Sequence, residues 1–412
     1  MGHGSGPARP EFRAKRRRAI TYFKSLSAAG FAATAIAFGP ARMGFGLFVP
    51  EFRDDFALST TLVGIVSSVG FFGFLLGLVF AQLLLLRRGP EAPVLTGLTC
   101  ATLGIALVAL APNVWVLALG VCLAASSAGF DWTPFNDAVS RKVQAGWQPV
   151  ALSGISSGTA IGIALAGTCA LGMVLFGLSW RIVWAGFAVA AALVLIGNWA
   201  ALRQVERAAD TAIDWRTVLR RDAIPLYVVG FVFGIVSANY LSFAADHMRS
   251  RGGPPGLPVK AIPAAIFVTY GLFGLSGLLT ESVTRRVGQT WLLRALMVSG
   301  AVSLALVVLA PGTWWGFVAS AGLQGIHVMM VSAVLSFWCA RIFPALPSLG
   351  FTAALVVTAI GSVLGPALGG IVSDSFGPAA LFLGSAAFPA LAALWLRAEH
   401  ARPAKAQGTA HA

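Results

Sequence analysis

The sequence predicts an all-α membrane protein in which twelve transmembrane helices form two pseudosymmetric six-helix bundles. Three observations carry this prediction. The 412-residue chain is 57% hydrophobic and only 11% charged, with a mean hydropathy of +0.82, whereas soluble domains carry about 25% charged residues. Twelve apolar stretches reach the length of roughly 20 residues that a helix needs to cross a bilayer core. Short sequence features recur at an offset close to 200 residues. The strand-type alternation of a membrane β-barrel is absent.

The stretches are 26–49, 61–86, 93–111, 114–139, 149–177, 181–202, 223–245, 262–284, 289–310, 313–339, 348–373 and 379–396. The first has a basic flank, as a secretory leader has. It is too long for a leader, contains Arg42 and is followed by further spans, so it is expected to be retained. Net charge is +14, and its placement argues for topology and against nucleic acid. All but six of the 29 basic residues fall in segments preceded by an even number of spans, the six being Arg42, Arg53, Arg181, Arg249, Arg251 and Lys260. Basic residues favour the cytoplasmic side, so both termini are expected in the cytoplasm. The run Arg13, Lys15, Arg16, Arg17, Arg18 reads as a topology signal that could also hold anionic lipid.

The repeat divides the chain. Ala111-Pro112-x-x-Trp115 opens the fourth stretch and Ala310-Pro311-x-x-Trp314 the tenth. Gly77 pairs with Gly277, and Phe176-Gly177 with Phe376-Gly377. The expected organisation is a basic tail 1–23, a first bundle 24–202, a polar cytoplasmic linker 203–222, a second bundle 223–397 and a tail 398–412.

Gly361–Gly370 reads GSVLGPALGG. Gly361, Gly365 and Gly369 form a smooth helical stripe that a neighbouring helix can approach closely. Pro366 lacks an N–H, so a bend is expected there. A fainter copy, Gly158–Gly167, reads GTAIGIALAG, with Gly158 and Gly162 kept and Ile163 at the proline position. The pattern GxxxGPxxGG is motif C of the major facilitator superfamily, and the chain resembles bacterial transporters of that superfamily over almost its whole length. A motif A remnant agrees: Gly77 with Arg87, Arg88 and Gly89, and Arg285, Arg286 and Gly288 in the second half. The motif's acid is missing, and Val121 stands where the motif B arginine would be. These departures argue against a multidrug-type proton antiporter.

Enzyme chemistry finds no foothold. None of the five lysines follows a glycine, so no P-loop can be written. No HExxH, metal-spaced His/Cys cluster or GxSxG elbow occurs, and no cofactor or metal is expected. Cys100, Cys122, Cys169 and Cys339 all fall within spans and read as packing residues.

Polar residues inside the spans carry the functional signal, because a charge at mid-membrane costs ~3 kcal/mol on insertion scales. Arg42, in the outer half of the first span, reads either as a counter-charge for an anionic substrate or as a partner for the carbonyl freed by Pro40. Asp131, in the inner half of the fourth, reads as a proton or substrate site or as half of a salt bridge to an arginine. His327 is a proton carrier, a substrate donor or a buried neutral imidazole. Asp137 and Glu281 read as structural ion pairs, Glu281 with Arg285, and Asp374 as a solvated helix end. The resemblance implies that spans one, four, seven and ten line a central cavity, which gives Asn239, Tyr240 and His327 a cavity reading. It also implies secondary transport of a small molecule by a monomer, coupled to protons. Motif C on span eleven leans toward export, and Arg42 toward uptake or exchange of an organic anion. A non-transporting membrane sensor is the alternative from a different class.

Overall fold

A computed structural model of the chain describes residues 25–202, 215–344 and 346–397. Twelve helices in it are long and apolar enough to span a membrane. Spans one to six are Ser25–Phe56, Thr60–Arg88, Glu91–Ala109, Val114–Lys142, Gln148–Phe176 and Trp180–Leu202. Spans seven to twelve are Arg221–Ser250, Val259–Val287, Gln289–Leu309, Trp314–Ile342, Ser348–Phe376 and Pro378–Trp395. The basic N-terminal run and the C-terminal tail lie outside the described residues. So does most of the expected linker, whose last residues already belong to span seven.

Helix packing repeats between the halves. Span one packs on spans four and five, as seven packs on ten and eleven; two packs on four, as eight packs on ten; three packs on four and six, as nine packs on ten and twelve. The halves meet where span two lies on eleven, five on eight and one on seven. The motif C stripes serve the packing within each half. A side chain at Gly158 or Gly162 would strike the backbone of span one at Phe31 or Ala35. One at Gly361 would strike span seven at Phe231. The stripes also reach across: Gly167 faces Ala264 of span eight, and Gly370 faces Thr60 of span two. Gly167 and Gly370 are related by the same offset as Gly158 and Gly361 and as Gly162 and Gly365. Span eleven stays helical through Pro366.

Spans one and four depart from plain helices, and span one also from its expected end. Span one runs through Pro50 to Phe56, seven residues beyond the expected end. An aromatic cluster holds the added turns: Phe52 meets Trp180 edge-on at 5.0 Å and Phe48 meets Trp184 at 5.7 Å. Span one also widens into a π-helix over Ala37–Met43, around Pro40. Bonds reaching back five residues serve carbonyls that proline leaves free, and such bulges recur at functional sites. Span four breaks between its helices Val114–Gly129 and Trp132–Lys142, where Pro134 cannot bond the carbonyl of Phe130.

Polar ties join the halves at the face opposite the termini. Arg53 of span one meets Asp246 of span seven at 2.6 Å. Arg249 of span seven meets Asp54 at 2.9 Å and Glu51 at 3.5 Å. Asp374 is more than a solvated end: its Oδ2 accepts from the Thr61 N–H at 2.8 Å and from the Thr61 hydroxyl at 2.6 Å. The reason is that the first turn of span two leaves N–H groups unbonded, and a carboxylate is the natural acceptor there. The structural ion pairs form as expected, Asp137 with Arg141 at 2.6 Å and Glu281 with Arg285 at 3.5 Å.

Candidate functional site

Because span one is longer than expected, Arg42 sits near the membrane midplane. The midpoints of spans one, four and ten fall at about residues 40, 128 and 328, so Arg42, Asp131 and His327 all lie within one turn of centre.

Arg42 is carried by the π-helix of span one, just before Gly44–Phe56, the stretch of that span that packs on span seven. Its guanidinium lies 3.9 Å from the ring centre of Phe74, 5.5 Å from Phe38 and 5.7 Å from Phe71. Stacking on ring faces stabilises a cation but leaves the planar edge of N–H donors unused. No hydrogen bond or ion pair reaches that edge among the described residues, and Nε is buried without an acceptor. The alternative of a partner carbonyl or acid is therefore not what the fold provides. The cleft beside it is lined by Phe45, Gly46, Ser67, Gly70, Phe71, Val121, Ala125 and Leu241. Tyr270 of span eight is close enough to interact electrostatically with the guanidinium. The Tyr270 ring lies 6.4 Å from that of Tyr240, whose hydroxyl accepts from Ser320 at 3.4 Å.

Asp131 occupies the break in span four. It is 3% exposed, and its Oδ2 accepts from the Thr34 hydroxyl at 2.7 Å. The alternative of a salt bridge to an arginine does not form: among the described residues no basic side chain pairs with Asp131, whose partner is Thr34. Asp131 and Arg42 are linked through span one instead. Thr34 and Arg42 are eight residues apart, about 12 Å along a helix, with the π-helix between them.

Two expected cavity residues face elsewhere. Asn239 donates to the Ser385 hydroxyl of span twelve at 2.7 Å, and its Oδ1 faces Gly365 and Gly369 of span eleven. Neighbouring helix positions point about 100° apart, so Asn239 and Tyr240 cannot share one face. His327 lies among spans seven, nine and ten. Its Nδ1 is 2.6 Å from the carbonyl of Leu296, which makes Nδ1 the donor. Phe233 covers the ring and Gly300 makes room for it. The motif A residues Arg87, Arg88, Gly89, Arg285, Arg286 and Gly288 stand at the termini face, away from the site.

Sequence reasoning missed Thr34, the phenylalanine enclosure and Gln324. Gln324 is fully buried one turn before His327, with neither amide atom bonded to protein. The Phe38/Arg42 spacing of four was a usable signal. Nothing in the sequence pointed to Thr34.

Comparison with known proteins is consistent with this architecture. A family described as "Uncharacterised MFS-type transporter YbfB" matches residues 34–397. The "Transcription regulatory protein OpdE" of Pseudomonas aeruginosa is 26% identical over 311 residues, 73% of this chain and 75% of that protein. A "Gentisate transporter" of Corynebacterium glutamicum is 30% identical over 126 residues, so the chain spans only 28% of that relative. Among solved structures, a point mutant of the nucleoside transporter NupG superposes with a TM-score of 0.70 at 12% identity, covering 90% of this chain and 98% of that one. A bacterial homologue of the human lysosomal transporter Spinster, in an inward-facing, unoccupied conformation, gives 0.67 at 16% identity, covering 92% and 96%. At these identities the likeness is one of fold.

Proposed function

The chain belongs to the family of MFS-type transporters, and on that premise we propose that it carries a small organic anion across a bacterial plasma membrane by alternating access, anchored at Arg42 and coupled to protons through Asp131. The observation that carries the reading is the Arg42 guanidinium, held at midplane between the halves with its donor edge unpaired. An unpaired charge there is costly, and an anionic substrate supplies the missing partner. The partial likeness to a gentisate transporter supports the same substrate class. Both motif C stripes are spent on helix packing, within each half and across to the other, so the motif by itself carries no direction, and the anion site moves the reading from export to uptake or exchange.

Asp131 fits the coupling role by its surroundings. The Thr34 hydroxyl donates to its carboxylate, a charge-assisted bond that favours the ionised form, and protonation weakens it to a neutral one. The change is felt on the helix that carries Arg42. The ion pairs between spans one and seven support a state closed at the face opposite the termini, with the halves rocking about the midplane.

Thermal unfolding of the purified protein tests the substrate class. A ligand that binds only the folded state raises the melting temperature, so small carboxylates should do so and hydrophobic cations should not. The opposite pattern would remove the anion reading. The name of OpdE supports a sensor as second reading; for a sensor, an anion that stabilises the protein would show no flux after reconstitution.

The charge placement supports cytoplasmic termini. In a cysteine-free background, an impermeant thiol reagent outside the cell should label Lys260→Cys and spare Gly146→Cys. Labelling of Gly146→Cys alone would invert the topology.

A further inference from the structure

The cleft beside Arg42 is selective in its charge count as well as its sign. Arg42 is the one charged side chain among its lining residues. Among the described residues no second cation and no acid pairs with the guanidinium, which lies against Phe38, Phe71 and Phe74. The walls are apolar apart from Ser67, which is 5% exposed.

We infer that the site takes a monocarboxylate with an apolar body and discriminates against dicarboxylates and amino acids. This rests on the reading of Arg42 as the anion anchor. A planar carboxylate meets the guanidinium edge in two parallel hydrogen bonds. A second carboxylate on the ligand would be buried without a partner, and so would an ammonium group. A site discriminates most strongly when the wrong ligand leaves a buried charge unpaired. The closed cleft, about 10 Å³, holds no more than a water, so the apolar body meets Phe45, Val121 and Leu241 only once the halves part, and acetate, which lacks such a body, loses that contribution.

Calorimetric titration of the full-length purified protein at pH 7 tests this with benzoate, cyclohexanecarboxylate, phthalate, phenylalanine, acetate and benzamide. Benzoate and cyclohexanecarboxylate should bind. The other four should bind about tenfold more weakly or worse, since each loses the charge match or the apolar contact. In Arg42→Gln the advantage of benzoate over benzamide should vanish, while the parent series stands even if that variant fails to fold. Phthalate or phenylalanine binding as tightly as benzoate would overturn the monoanion rule and leave the anion anchor standing. Binding of none of the carboxylates would overturn the anchor itself.

Discussion

Asp131→Asn should abolish accumulation of benzoate driven by a pH gradient while leaving exchange at equal concentrations near the parent rate. The variant keeps the shape of the side chain and removes its ability to lose a proton. The Thr34 hydroxyl, 2.7 Å from Oδ2 in the parent, can still donate to the amide oxygen, so the break in span four keeps its tie to span one. Downhill movement needs only that the halves rock with substrate bound. Uphill movement needs a group that is protonated in one state and deprotonated in the other. The measurement is uptake into proteoliposomes with the protein-free leak subtracted. Continued pH-dependent accumulation by Asp131→Asn would remove Asp131 from the coupling role and make His327 the next candidate.

Arg42 should show the largest loss of binding. Truncating one partner of a buried charge pair costs about 2–5 kcal/mol, so Arg42→Ala should lose roughly thirtyfold or more in benzoate affinity. Arg42→Lys is more telling. It keeps the charge but loses the planar fork and the stacking on Phe74, 3.9 Å away, and should bind about tenfold more weakly. Parent-like affinity in Arg42→Lys would refute bidentate capture. A structural Arg42 would show low expression with normal affinity in the protein that folds.

The fold was legible because bilayer physics writes it plainly. Long apolar runs, basic loops and a repeat with a constant offset are each one-dimensional signals, and they place twelve spans and two halves. Helix ends were less legible. Pro50 reads as a stop for span one, yet the tertiary contacts of Phe48 and Phe52 with Trp180 and Trp184 extend the helix to Phe56. That shift moves Arg42 to the midplane and brings Glu51, Arg53 and Asp54 to span seven. The candidate site was legible in part, since a charge in an apolar run stands out by its cost. The direction in which each polar side chain points was not. Asn239 and His327 turn into the second half, and Asp131 pairs with Thr34, because side-chain direction in a helix packed on all sides is fixed by neighbours distant in sequence.

Benzoate counterflow in proteoliposomes tests the central claim most directly. Vesicles loaded with unlabelled benzoate at pH 8, where the permeant neutral acid is scarce, are diluted into a trace of labelled benzoate. An alternating-access carrier anchored at Arg42 predicts a transient overshoot of label in the parent and in Asp131→Asn, and none in Arg42→Ala or in protein-free liposomes. An overshoot in Arg42→Ala equal to the parent's, or its absence from a parent protein that binds benzoate, would contradict the account.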